Sequence, residues 1–232
     1  MMSSGQFNAI ELTPTPAPSC RLDLLSTHHA GRPMLTRYIH QQFAEHYGAD
    51  VHSFMPWLVG LYEDQRIAAA AGFRLASHEP LYLEQYLDEP IEAAMAHIPG
   101  LGASREHIAE IGNLAGTVRH CVRELFVALA CLMQAADVEV ITCTANPTVR
   151  ALFREMKMPF KPLCAAVPAR LGRAAHQWGS YYSRTCIIMA CNIDDIIRAM
   201  AAHYPEILGR AVPAAQTLIA HEFIPAHDRI AH

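Results

Sequence analysis

The chain has 232 residues, 52% apolar and 17% charged, with a net charge of −4 when histidine is neutral. That length buries a sizeable core without disulfide or metal staples, and with no basic block the electrostatic footprint of a nucleic-acid binder is missing. Seven scattered cysteines with no Cys-x-x-Cys pair point to reduced, buried thiols in a cytoplasmic protein.

Residues 1–19 are polar and proline-rich (Thr13-Pro14-Thr15-Pro16-Ala17-Pro18) and predict an extended arm with neither the basic start nor the apolar stretch of a secretion signal. A domain over 20–204 and a tail over 205–232 follow. Pro33 suits the first turn of a helix in which Leu35, Ile39 and Phe43 recur at four-residue spacing, and Gly48 is placed to end it. Residues 57–62 and 66–75 predict two strands joined at Glu63-Asp64-Gln65. The alanines at 68–71 favour helix by propensity, but their place after a turn favours strand. Residues 81–90 resist typing, and Pro90 opens a short helix ended by Pro99-Gly100.

A β-α-β-α unit comes next: strand 108–115, a turn at Gly116, helix 117–136, strand 138–145, and Asn146-Pro147 opening another helix. The longest apolar run, Leu125 to Met133, is far short of the roughly 20 residues of a spanning helix. Short strand and helix pieces fill 159–178. A strand at 185–191 leads to a helix capped by Asn192, and the tail beyond, broken by prolines, shows no pattern. Strands, then helices, then alternation predict an α/β (α+β) fold, a mixed sheet antiparallel at one end with helices on its faces.

Three constellations stand out. Arg119, His120 and Arg123 crowd the start of the long helix, where the partial charge is already positive. Either an anion such as a phosphate sits there, or the bases pair with surface carboxylates. On the strand before it, alternation places Ile108, Glu110, Gly112 and Leu114 on one face and Ala109, Ile111, Asn113 and Ala115 on the other. Glu110 is then a general base facing a cleft or the solvated end of the strand. Glu84, among Tyr82, Tyr86 and three leucines, invites the same two readings. Trp178-Gly179-Ser180-Tyr181-Tyr182 is an aromatic cluster, either pocket wall or ordinary core.

The segments Tyr82-Leu83-Glu84-Gln85-Tyr86-Leu87-Asp88-Glu89-Pro90-Ile91-Glu92, Glu110-Ile111-Gly112-Asn113-Leu114-Ala115, Ala169-Arg170-Leu171-Gly172 and Trp178-Gly179-Ser180-Tyr181-Tyr182 resemble the thermostable hemolysin family. More loosely, the element order resembles the GNAT acyltransferase fold, particularly its acyl-homoserine-lactone synthase branch. That resemblance implies a mixed, mostly antiparallel central sheet flanked by helices. Glu110 stands at the acidic position, and Asn113 at the basic one, of the Glu-x-Ser-Arg-Leu strand of the lactone synthases. The resemblance puts a phosphopantetheine arm, of acyl-CoA or an acyl carrier protein, against Leu114, Ala115, Gly116, Val118, Arg119, Arg123 and Asn146. It makes Glu110 and Glu84 the catalytic carboxylates, and Asn113, Tyr86, Trp178, Tyr181 and Tyr182 the substrate contacts. No cofactor is held tightly; the acyl thioester is a co-substrate, the acceptor is a small amine, and a homodimer is compatible.

Two departures accompany the resemblance. The glycine-rich diphosphate signature is missing from Thr117-Val118-Arg119-His120-Cys121, and Phe153 stands where such enzymes often carry a tyrosine that protonates the leaving thiolate. The alternatives from other classes are a membrane-active or lipid-binding protein and a non-catalytic acyl-carrier-binding module.

Overall fold

In the computed structural model, which describes residues 20–223, a seven-stranded sheet carries helices on both faces. The strands are β1 (Cys20–Leu25), β2 (Trp57–Glu63), β3 (Arg66–Leu75), β4 (Ile108–Gly116), β5 (Val140–Ala145), β6 (Lys161–Ala165) and β7 (Ile187–Asn192), in the spatial order β1-β2-β3-β4-β5-β7-β6. Only β4 and β5 pair in parallel; every other neighbouring pair is antiparallel. The proline-rich stretch 1–19 lies outside the described residues.

Helices α3 (Arg119–Ala135), α5 (Ile193–His203) and α6 (Pro205–Glu222) pack on one face over Phe73, Ala109, Ile111 and Ile141. Helix α1 (Arg32–Tyr47) covers the other face of β2–β4 through Leu35, Ile39 and Phe43. The short α2 (Ile91–Ala96) and two 3-10 segments, Tyr82–Tyr86 and Pro168–Trp178, cover that face further along. The alanine run is strand: Ala69, Ala70 and Ala71 are fully buried between α3 and α1, so tertiary packing overrides helix propensity. Gly48 ends α1 as expected, in the left-handed region at φ 59°.

The expectation of a patternless tail is corrected. Residues 205–222 form α6, which buries Ala211, Ala215 and Ile219 against α3, and Phe223 then enters the core 5.1 Å from the Trp57 ring. Pro213 sits inside this helix, where it removes one backbone N–H. Burial of an apolar face outweighs that loss, because packing contributes more to helix stability than propensity does.

Two irregularities create the site. The β4–β5 pairing stops at Ile111 with Cys143, although β4 continues to Gly116 and β5 to Ala145, so the strands part beyond that point. Between the Gly72–Gly112 and Ala70–Ala115 partners, one residue of β3 faces two of β4. This is a β-bulge, with Asn113 in the left-handed region at φ 52°. The bulge also corrects the simple alternation. Leu114 turns to the α3 face beside Ile111, and Ala115 to the α1 face.

Candidate active site

A cleft of about 1050 Å³, open mouth included, runs through the gap between β4 and β5. On the α3 side its wall is apolar: Ile111, Leu114, Phe126, Leu129, Ile141, Phe153, Met158 and Phe160. Helix α4 (Pro147–Glu155) supplies Phe153, whose ring stacks on Phe160 at 4.0 Å and meets Phe126 edge-on. On the α1 side the lining is more polar: Tyr47, Tyr82, Glu110, Asn113, Thr144, Asn146, Trp178, Tyr181 and Tyr182.

Glu110 is 2% exposed and sits on the cleft wall. Its carboxyl accepts the backbone N–H of Tyr82 at 2.6 Å and of Leu83 at 3.1 Å, which leaves acceptor capacity on both oxygens. Burial pushes its pKa up to about 8, against the opposing pull of those N–H groups and of Arg74, its partner across β3 and β4. A carboxyl so tuned is a far stronger base than a solvated one.

The bulge is clamped. Asn113 Oδ1 accepts from the N–H of Met55 at 2.7 Å, and Nδ2 donates to the Ser53 carbonyl at 3.3 Å. Its amide therefore fixes the loop before β2 while lining the cleft. Asn146 caps α4, its Oδ1 accepting the Val149 N–H at 3.0 Å, and its Nδ2 donates to the Tyr47 hydroxyl at 3.0 Å. The hydroxyl of Thr144, buried on the cleft wall, has no hydrogen-bond partner among the described residues.

Trp178, Tyr181 and Tyr182 wall the cleft and also pack as core. Trp178 donates its indole N–H to the Tyr82 hydroxyl at 3.1 Å, and Tyr181 donates to the Thr144 carbonyl at 3.1 Å. They hang from a turn fastened to the end of α1, where both the N–H and the hydroxyl of Ser180 donate to the Tyr47 carbonyl.

Several expected residues fall elsewhere. Glu84 does not line the cleft. Its carboxylate takes a two-pronged contact from Arg105 at 2.7 and 2.9 Å and the N–H groups of Leu81 and Ile91. Burial raises its pKa, but Arg105 and those N–H groups outweigh it and leave the group lowered. Glu84 is thus a clamp for the 81–91 segment, with Arg105 further bound to Glu92 at 2.8 Å. Tyr86 is buried away from the cleft, hydrogen-bonded to the Tyr182 hydroxyl.

Arg119 and Arg123 both pair with Glu155 at the end of α4, at 2.8 and 3.1 Å, the ion-pair alternative to a phosphate site. Val118 is exposed, and Ala115 is buried under α1. A Cβ on Gly116 would lie 2.6 Å from Val122, so the glycine makes room for that helix side chain, and Gly116 is not part of the cleft lining. Tyr47, Thr144 and Arg105 escape a sequence reading. Tyr47 sits on an amphipathic helix and Thr144 on a buried strand, and neither residue type signals a cleft.

A first prediction concerns the clamp. Arg105→Met leaves a partly buried Glu84 without its cation and lowers unfolding free energy by about 1–3 kcal/mol. Urea unfolding measures this. Any activity per folded molecule stays within about twofold of wild type, since neither partner touches the cleft.

The model of the thermostable hemolysin family matches residues 25–197, and the chain belongs to that family. No curated protein matches by sequence. Among solved structures, the fold is similar to the AHL synthase LasI, at 12% identity and a TM-score of 0.55, covering 82% of this chain and 96% of that one. It is also similar to FeeM, an N-acyl amino acid synthase from uncultured soil microbes, at 14% identity and a TM-score of 0.53, covering 79% and 96%. A third is BjaI, a CoA-dependent acyl-homoserine lactone synthase with SAM and isopentyl-CoA, at 12% identity and 0.53, covering 83% and 99%. The sheet and its helices are thus GNAT-like. Among the described residues, no helix is long and apolar enough to cross a membrane.

Proposed function

We propose that this thermostable hemolysin family member is an N-acyltransferase. It would move an acyl group from a thioester of coenzyme A or an acyl carrier protein to the amine of a small metabolite or amino acid. The observation that carries the reading is the single cleft that joins an apolar pocket to a buried, strongly basic carboxyl through the gap between β4 and β5. The fold neighbours fit it in kind, FeeM as an N-acyl amino acid synthase and BjaI as a CoA-dependent synthase.

In this reading the acyl chain lies among Phe126, Leu129, Phe153 and Phe160, and the pantetheine arm occupies the strand gap. There the unpartnered Thr144 hydroxyl is available to it. The acceptor lies on the Trp178–Tyr182 side. Glu110 takes a proton from the ammonium or the attacking amine as the C–N bond forms. Backbone N–H groups of β4 near Leu114, freed by the bulge, stabilise the oxyanion. The C–S bond then breaks, and the Tyr47 hydroxyl, held by Asn146, gives the thiolate its proton in place of the phenol that Phe153 lacks. The phosphopantetheine arm is common to both donors. The α3 start, with Arg119 and Arg123 tied to Glu155, offers a diphosphate little, so both donors remain within the proposal.

Amine-dependent thiol release from acyl-CoA and acyl pantetheine, with an acceptor amine of low pKa, tests this. Glu110 is active when deprotonated, so kcat/KM for the amine rises about tenfold per pH unit below about 8 and levels above it. Tyr47→Phe lowers the plateau about 10- to 100-fold and keeps the rising limb. Leakage of liposomes by the pure protein, with no thiol release from any donor, would instead favour a membrane-active protein.

A further inference from the structure

We infer that Glu63, His120 and Cys121 bind one divalent transition ion of the zinc type, at the junction of β2 and α3 and outside the cleft. Glu63 ends β2, and His120 and Cys121 lie in the first turn of α3, so the fold brings three different metal-ligating groups to one point. His120 Nε2 lies 3.0 Å from Glu63 Oε1 and 3.3 Å from Cys121 Sγ, and Cys121 Sγ lies 3.8 Å from Glu63 Oε2.

Zinc bonds of about 2.3 Å to sulfur and about 2.0–2.2 Å to nitrogen and oxygen give tetrahedral ligand–ligand edges of roughly 3.4–3.6 Å. The two edges at His120 Nε2, 3.0 and 3.3 Å, fall just short of those values, and Cys121 Sγ meets the other carboxylate oxygen at 3.8 Å. One ligand atom from each residue lies within 4.8 Å of the others, so an ion fits with small side-chain adjustments. An ordinary surface ion pair accounts for the contact of His120 with Glu63. It gives no reason for the buried thiol to face both the imidazole and the second carboxylate oxygen.

A thiolate, an imidazole and a carboxylate together suit a borderline ion such as zinc better than magnesium or calcium. Cys20, the cross-strand partner of Glu63, lies near Glu124, Cys121 and Glu63. The His120 side chain is 56% exposed, so the fourth position is left to solvent. None of the three ligands lines the cleft, so the ion staples the end of the β2–β3 hairpin to α3 without entering the proposed chemistry.

The His40–Asp50–His52 group is a control. Both imidazoles there reach the same oxygen, Asp50 Oδ1, at 3.0 and 2.9 Å, on an exposed surface with no thiol.

The test is cobalt(II) titration of the full-length, untagged, metal-stripped protein, read by absorption. The expected result is about one equivalent giving a thiolate-to-cobalt charge-transfer band and tetrahedral visible bands, displaced by zinc, with zinc also raising the melting midpoint. Cys121→Ser removes the charge-transfer band. His120→Ala weakens binding at least about tenfold, and His40→Ala leaves both unchanged. No charge-transfer band at stoichiometric cobalt would overturn the site, as would a band that survives His120→Ala at full affinity. Should Cys121→Ser fail to fold, His120→Ala, a change at an exposed position, decides alone.

Discussion

Glu110→Gln is expected to lower the turnover of amine and acyl thioester by about 10²- to 10⁴-fold, the range of a lost general base. The amide has nearly the shape of the carboxylate but cannot take a proton. Structure and chemistry part here in a measurable way. The glutamine carbonyl can accept from only one of the Tyr82 and Leu83 N–H groups, and its NH₂ faces the other donor. That mismatch costs about 1–3 kcal/mol, so the variant folds with a lowered melting midpoint. Unchanged turnover per folded molecule would make Glu110 a clamp for residues 82–83 and nothing more.

The linkage has a definite sign. The folded-state pKa is about 8, against an unfolded value near 4.5, so the native chain holds a proton there that the unfolded chain releases. This group's contribution is fully present below about pH 4.5 and is lost as pH rises to about 8. The glutamine variant lacks that slope.

Gly179→Ala is expected to destabilise the protein by more than about 3 kcal/mol. Gly179 adopts φ 50° and ψ −125°, a region closed to alanine, and an added Cβ would lie 2.2 Å from the Tyr47 carbonyl oxygen and 2.7 Å from that of Gly48. Both obstacles are backbone, so neither can rotate away. The turn that hangs Trp178, Tyr181 and Tyr182 over the cleft must lift from α1, and the same change reshapes the acceptor side. Gly209→Ala is the control. It sits in α6 with nothing within 4 Å of its Cβ, and gains about 0.5–1 kcal/mol from helix propensity. Urea unfolding of the two variants measures the contrast.

These residues mark where the sequence was legible. The β4-α3-β5-α4 unit reads directly, with Asn146 and Pro147 local signals of a helix start, although Gly116 ends β4 as the partner of Ala69 and does not make the expected turn. The alternation of β4 reads correctly through Gly112 and then fails. A bulge adds a residue without changing composition, and Asn113 looks the same in an extended strand as at φ 52°. Glu84 and Glu110 look alike in sequence, each a carboxylate among apolar neighbours. Only the approach of Arg105, 21 residues away, makes one a saturated clamp and leaves the other on a cleft wall. Arg119 and Arg123 find Glu155 across more than thirty residues, a pairing no local pattern encodes. Helix α6 was hidden by Pro213, since its stability resides in the α3 surface beneath it.

Acyl transfer by this protein is measured most directly by mass spectrometry after the purified chain is incubated with acyl-CoA or acyl carrier protein thioesters and a pool of amines. Wild-type protein is expected to give an N-acyl product and free thiol in equal amounts, and Glu110→Gln neither above background. No amide from any donor, together with no thioester binding by calorimetry, would contradict it.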